Sequence, residues 1–357
     1  MLHHGNYGMT NNFWTNKKVL ISGHSGFKGS WLTLMLHRLG AKVVGYSLEP
    51  KKLSLFNTLN INKYCKNYFA DIRDYQTIKM VMDKQKPEII FHLAAQPLVL
   101  GSYHDPLYNF ETNINGTINL LEIFRKSKNP RVFINVTSDK CYKNDDKQGK
   151  SFIETDCLGG EDPYSASKAC SEIITNAYRS SFYQKEGISL SSARAGNVIG
   201  GGDWSDNRLI PDIIRSVVDS DEVIIRNPES TRPWQFVLDP LRGYLILAEK
   251  MYNNPSYDQA WNFGPSNESN ISVKEMLTKV SEHLVFKYKF VSNNKKKESV
   301  FLNLNSDKAI THLNFERKFN INDALSNTIL WYKKFLNNDS NLYKFSIDQV
   351  DNAIGMN

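Results

Sequence analysis

Residues 18–29 impose the tightest constraint on what this chain can fold into. Lys18–Ser22 (KVLIS) reads as a short buried strand. Gly23-x-x-Gly26-x-x-Gly29 follows it and opens a helix expected over 27–39, with Gly40 placed to end it. Glycines at this spacing allow a tight turn and close backbone approach, and the helix N-terminus beyond favours an anion. In this setting the loop predicts a dinucleotide site, with Gly23, His24, Ser25, Gly26, Phe27, Lys28 and Gly29 against the cofactor. An ordinary strand–helix turn is the competing reading.

The rhythm continues. Further strands are expected over 41–46, 67–71, 88–94, 131–137 and 188–194, with helices over 74–84, 105–128 and 163–183 between them. Strands alternating with helices imply parallel βαβ units covered on both faces: an α/β, Rossmann-type doubly wound parallel sheet. Beyond Gly196 the rhythm breaks, and Gly200-Gly201-Gly202-Asp203-Trp204 reads as a loop. The expected division is a dinucleotide-binding domain over 13–195 and a smaller C-terminal substrate lobe over 196–340, some of whose segments return to the sheet. Asn262-Phe263-Gly264-Pro265 marks a turn after one late strand.

The second strand has no acid at its tip to hold an adenosine ribose; Glu49 is the nearest, and an exposed loop position suits it as well. No arginine stands there for a 2′-phosphate, which tilts the expectation to NAD over NADP. Asp71 and Ile72 are placed to meet the adenine or to cap the third strand, and Leu93, Ala94 and Ala95 to line the cofactor.

Tyr164-Ser165-Ala166-Ser167-Lys168 sets a phenol and an ammonium one helical turn apart. A free tyrosine titrates near ~10, and a cation one turn away together with a positive nicotinamide would lower that value. Beside a dinucleotide, the pair equips a site to move a hydroxyl proton. Thr137-Ser138-Asp139-Lys140 follows the fifth strand, at the sheet edge where ligands bind. Ser138 can hydrogen-bond the reacting hydroxyl, and Asp139 can act as an acid if its surroundings keep it protonated. A polar strand end with Asp139 capping a turn is the plainer alternative.

Bulk properties narrow the class. With 357 residues and 41% apolar content the chain can bury a real core. No apolar run approaches the roughly 20 residues that span a bilayer. The polar Met1–Asn12 segment is unlike a signal peptide, so a cytoplasmic location is expected, with no membrane partner. Cys65, Cys141, Cys157 and Cys170 have no metal-site spacing, so no metal is expected. The net charge of +7 is mostly dispersed, and its densest run, Lys295-Lys296-Lys297, reads as a solvated loop. Small anionic substrates suit this charge better than nucleic acid.

These motifs resemble the extended short-chain dehydrogenase/reductase family, which acts largely on nucleotide sugars; the likeness runs from about residue 17 to 333. Within it, Gly23–Trp31, Thr137–Tyr142 and Arg232-Pro233-Trp234-Gln235 resemble the nucleotide-sugar 4,6-dehydratases. So do Leu302-x-Leu304-x-Ser306-x-Lys308 and Thr328-x-x-Trp331-Tyr332. Where the dTDP-glucose enzymes carry a glutamate this chain has Lys140, as CDP-glucose enzymes do. The resemblance implies an internal redox cycle on CDP-glucose with NAD. Tyr164 would take the 4-hydroxyl proton with Lys168 and Ser138 in support, Asp139 would protonate the leaving 6-hydroxyl, and Lys140 would participate in the elimination. It also places Arg194, Asn197 and Arg232 on the nucleotide sugar, and implies a homodimer through a helical face. Arg194 and Arg232 fit ion pairs as well, Trp234 fits a core residue and a stacking platform equally, and His92 reads as a buried, satisfied histidine. A nucleotide-sugar 4-epimerase shares Tyr164 and Lys168 but needs no acid for elimination; a dinucleotide-sensing regulator typically loses one of that pair.

Overall fold

The structure is a computed structural model that describes residues 12–145, 149–183, 188–291 and 302–356. The Lys295-Lys296-Lys297 run and Met1–Asn11 lie outside them.

Its centre is a seven-stranded sheet. The strands are β1 (Lys18–Ser22), β2 (Lys42–Ser47), β3 (Lys66–Phe69), β4 (Ile89–His92), β5 (Val132–Val136), β6 (Ser189–Arg194) and β7 (Ala260–Asn262). Their order is β7-β6-β5-β4-β1-β2-β3, and every pairing is parallel. Apolar residues on successive positions explain why the strands are buried on both faces. Val19, Ile21, Ile89, Phe91 and Ile134 enter one core; Leu20, Ile90 and Phe133, between them in sequence, enter the other. The order reverses between β1 and β4, and a crevice opens there at the carboxyl ends.

Helix α1 (Phe27–Arg38) packs on the first face. The second face carries α2 (Tyr75–Gln85), α3 (residues 106–126) and α4 (Pro163–Tyr178). Two expected helices differ in detail. Residues 105–128 form α3 with a π turn over Glu111–Asn115, and 163–183 is α-helical only to Tyr178, continuing as a π turn over Arg179–Tyr183. A short helix at Val99–His104 was not expected. Strand β3 ends at Phe69, so Asp71 lies in the loop after it.

After β6 the chain runs through α5 (Leu209–Asp219) and short two-stranded ladders, then returns. Helix α6 (Leu238–Asn253) packs under β5 and β6 and feeds β7, which pairs with β6 at the sheet edge. Helices α7 (Ile321–Leu336) and α8 (Leu342–Ile354) complete the first face, α8 against α1, where Arg38 donates two hydrogen bonds to Asp351. Much of the C-terminal half therefore builds the sheet's cover rather than the lobe.

Candidate active site

The crevice above β1, β4 and β5 is a cavity of about 610 Å³ closed on the far side by residues 195–212 and 224–234. One end is the glycine loop. Gly23 has φ +78°, and a Cβ there would stand 2.7 Å from the Ala94 nitrogen; a Cβ on Gly29 would stand 2.1 Å from the Gly23 carbonyl oxygen. Both positions thus require glycine. Gly26 caps α1 with no side-chain cap hydrogen bond among the described residues, and Ser25, Gly26, Phe27 and Lys28 at this helix start line the cavity end. An uncapped helix start on a glycine loop fits a diphosphate.

The tip of β1 is tied to the loop after β4. Ser22 Oγ lies 2.6 Å from His92 Nδ1 and accepts from the Leu93 and Ala94 amides at 3.2 Å. His92 Nε2 reaches Thr117 at 3.0 Å. Burial pushes this imidazole down to about 3, so it is a neutral structural group. Leu93, Ala94 and Ala95 line the cavity beside Asp71 and Ile72. The Asp71 carboxylate is engaged by Arg73, which also bonds Glu111 at 2.6 Å. The β2 tip presents Ser47 and Leu48 rather than an acid, and Glu49 is not among the lining residues.

At the other end α4 carries Tyr164, Lys168 and Glu172 along one stripe, four residues apart. All three are buried. Burial lifts the Tyr164 phenol to about 12, opposed by its polar contact with Ser138, and lowers the Lys168 ammonium to about 8, opposed by Glu172. Helix α3 is locked to α4 and to the loop after β4 through Asn113. It donates to Ser167 Oγ at 2.9 Å and to the Gln96 carbonyl at 3.1 Å, and accepts from the Gln96 amide at 2.8 Å.

Asp139 opens a single turn after β5. Ser138 Oγ donates to its Oδ1 at 2.9 Å, while its buried Oδ2 has no hydrogen-bond partner among the described residues. Burial raises this carboxyl; Lys140, the Ser138 hydroxyl, Lys28 and Arg232 pull it the other way. Lys28, held down to about 8 by burial and by Arg208, stands among Asp139, Lys168 and Asp203. Lys140, Asn197 and Arg232 also line the cavity.

Two expected residues lie elsewhere. His24 is fully buried under the loop, bonded to Asn67 at 2.9 Å and Ser47 at 3.0 Å, between Phe56 and Phe69. It braces the glycine loop and does not line the cavity. Arg194 is behind the site, paired with Glu172 at 2.7 Å and bonded to Tyr142 OH at 2.6 Å; the ion-pair reading applies. Glu172 also accepts from Ser192 at 2.6 Å and from Thr137, so this network fixes the strand end before Ser138. Sequence reasoning missed Glu172 although it continues the Tyr164–Lys168 stripe. It also missed Arg208, bonded to Asp203 at 2.8 Å, and Arg226 and Asn227 on the lobe side. Of these only Glu172, one helical turn beyond Lys168, carried a local signal.

A glycine-loop Rossmann sheet with a Tyr–Lys helix and an acid beside it defines the class. Residues 19–264 match the NAD dependent epimerase/dehydratase family, and the chain belongs to that family, with NAD as its cofactor. It is 41% identical over 340 residues to the CDP-glucose 4,6-dehydratase of Salmonella typhimurium strain LT2, covering 93% of this chain and 94% of that one. Two solved structures share the fold. A dTDP-glucose 4,6-dehydratase from Streptomyces venezuelae with NAD bound has TM-score 0.78 at 21% identity, covering 91% of this chain and 99% of that one. An epimerase from Methanothermobacter thermautotrophicus has TM-score 0.79 at 24% identity, covering 92% and 95%. Among the described residues no helix is long and apolar enough to cross a membrane.

Proposed function

We propose that this chain is a hydro-lyase that converts CDP-glucose to CDP-4-keto-6-deoxyglucose. The observation that carries the reading is Asp139. A buried carboxyl with an unpartnered oxygen in the same cavity as Tyr164 is what elimination needs and epimerisation does not. The 41% match to a CDP-glucose enzyme supports the choice of nucleotide. NAD⁺ supplies the hydride acceptor for C4 and the same hydride for C6.

In this reading Tyr164 takes the 4-hydroxyl proton, Lys168 steadies the phenolate and the cofactor ribose, and Ser138 holds the reacting oxygen. The 4-ketone acidifies C5–H. Lys140 takes part in removing the C5 proton while Asp139 protonates the leaving 6-oxygen. Gly23, Gly26, Gly29 and the start of α1 receive the cofactor diphosphate, with Lys28 adding positive charge. Asp71 and Ile72 meet the adenine. Arg232 and Asn197 meet the nucleotide sugar, together with Arg208 and Arg226, which line the same lobe wall. A cytoplasmic homodimer completes the reading.

The test is NMR of the protein with NAD⁺ and CDP-, dTDP-, UDP- and GDP-glucose, each deuterated at C4. A 6-deoxy methyl signal carrying that deuterium, from the CDP sugar alone, is the expected result. A C4 epimer without a methyl group makes the protein an epimerase. If Lys140→Ala eliminates at the wild-type rate, Lys140 is not the base.

A further inference from the structure

We propose that Tyr164, Ser138 and Asp139 form a proton relay, which hands the proton taken from the sugar's 4-hydroxyl to the oxygen that leaves C6. The inference rests on the dehydratase reading above and adds how the site returns to its starting state.

Proton accounting raises the question. Oxidation at C4 releases one hydroxyl proton, and breaking the C6–O bond consumes one. The proton lost from C5 when the C5–C6 double bond forms is replaced at C5 when C6 is reduced. One turnover therefore begins with a Tyr164 phenolate and an Asp139 carboxylic acid, and ends with a phenol and a carboxylate. Before the next turnover one proton must pass from Tyr164 to Asp139, either through solvent or within the protein.

The geometry offers the internal route. Ser138 Oγ lies 2.9 Å from Asp139 Oδ1 and accepts from the Lys140 amide at 3.2 Å; with its single hydrogen turned to Asp139, its remaining lone pair is open to a further donor. Tyr164 lines the same cavity, and a Ser138 hydroxyl turned to it instead favours the phenolate and opposes the effect of burial. With the serine hydrogen turned to the carboxylate, phenol to serine to carboxylate is the end state of a turnover; with it turned to the phenolate, the chain is in its starting state. If Tyr164 passes its proton to Ser138 Oγ while Ser138 passes its own to Oδ1, two O–H bonds break and two form. The result is the starting state, and no proton leaves the protein. Hydrogen bonds of this kind commonly tighten when ligand closes a site.

Asp139 is built to deliver what it receives. Its Oδ2 has no partner among the described residues, and the position a Cβ would take on Gly196 is 2.7 Å away, so glycine there keeps this flank of the carboxylate open. Rotation about the aspartate Cβ–Cγ bond is soft and nearly two-fold, and a half-turn exchanges the two oxygens. Solvent competes poorly: Asp139 is 2% exposed, Ser138 7% and Tyr164 8%.

The experiment compares wild type, Ser138→Ala and Ser138→Thr on CDP-glucose. For wild type, a single turnover in weak buffer with a pH indicator is expected to show no proton transient, and kcat is expected to be flat with buffer concentration at constant ionic strength. Ser138→Ala should lose rate and regain it in proportion to added imidazole, while Ser138→Thr restores the flat response. A wild-type transient of about one proton per site, released and then taken up, overturns the relay. So does a Ser138→Ala enzyme that turns over without buffer dependence. Should Ser138→Ala not fold, the wild-type indicator trace decides alone. Absence of any 6-deoxy methyl product removes the dehydratase reading instead, and the relay with it.

Discussion

At the scale of single residues, burial sets the protonation states in this site and specific neighbours trim them. Asp139 is the test of that balance. Asp139→Asn keeps the shape of the side chain and removes the proton it would donate. Oxidation at C4 should persist while loss of water slows by roughly 10²–10⁴-fold. NMR should then show a 4-keto hexose without a methyl group; a methyl product at the wild-type rate would mean that another group is the acid.

His24 supplies a second prediction, from pH. Burial holds its folded-state value down to about 4, against an ordinary 6.5. Between those values the unfolded chain binds a proton that the folded chain refuses, so stability rises with pH there. Its contribution is whole above pH 6.5 and is lost as pH falls towards 4, by about 3 kcal/mol for a shift of this size. Denaturant melts across that window should show the decline, and His24→Asn should flatten part of it. His92, held down to about 3, adds to the slope in the same direction.

At the scale of elements, the Arg194–Glu172 pair ties β6 to α4, and through Thr137 to the end of β5. Breaking a buried pair strands one charge in a desolvated place, which costs about 3–5 kcal/mol. Arg194→Met should therefore lower the melting temperature sharply and leave CDP affinity, read by calorimetry, within a few-fold. Arg194→Met with Glu172→Met removes both charges and should recover much of the loss. A specific collapse of CDP affinity in the single variant would return Arg194 to the substrate. This pair also marks the boundary of what could be read from the chain. The glycine loop and the Tyr164–Lys168 helix were legible because their geometry is local: a strand, a turn and one helical period place the groups. Arg194 sits at the end of a correctly expected strand, yet its role depends on Glu172 arriving from another element. His24 belongs to a loop motif, but its ring turns inward because Ser47 and Asn67 offer it hydrogen bonds from β2 and β3. The π turn at Glu111–Asn115 left no periodicity signal, and its Asn113 matters only through contacts in three dimensions.

At the scale of the whole molecule, the chain leaves its sheet after β6 and returns to it, so α6 and β7 complete a core begun by residues 18–194. That interlocking argues for cooperative unfolding of the lobe with the sheet, since α8 at the far end of the chain braces α1, which carries the cofactor loop. Among the exposed apolar side chains, two lie together on the other face. Helices α3 and α4 adjoin, and on them Leu107 is 68% exposed and Ile173 55% exposed. A second copy of the chain meeting this face would bury both, and the homodimer proposed above places its contact there. The prediction is a dimer by sedimentation velocity at micromolar concentration. Leu107→Glu with Ile173→Glu should shift it to monomer, because each new carboxylate would have to be desolvated in the contact. Neither residue lines the cavity. The monomeric variant should therefore still bind CDP, and loss of CDP binding along with assembly would show that the contact shapes the site. A wild-type protein that sediments as a monomer across this range would leave the exposed side chains on α3 and α4 as ordinary surface.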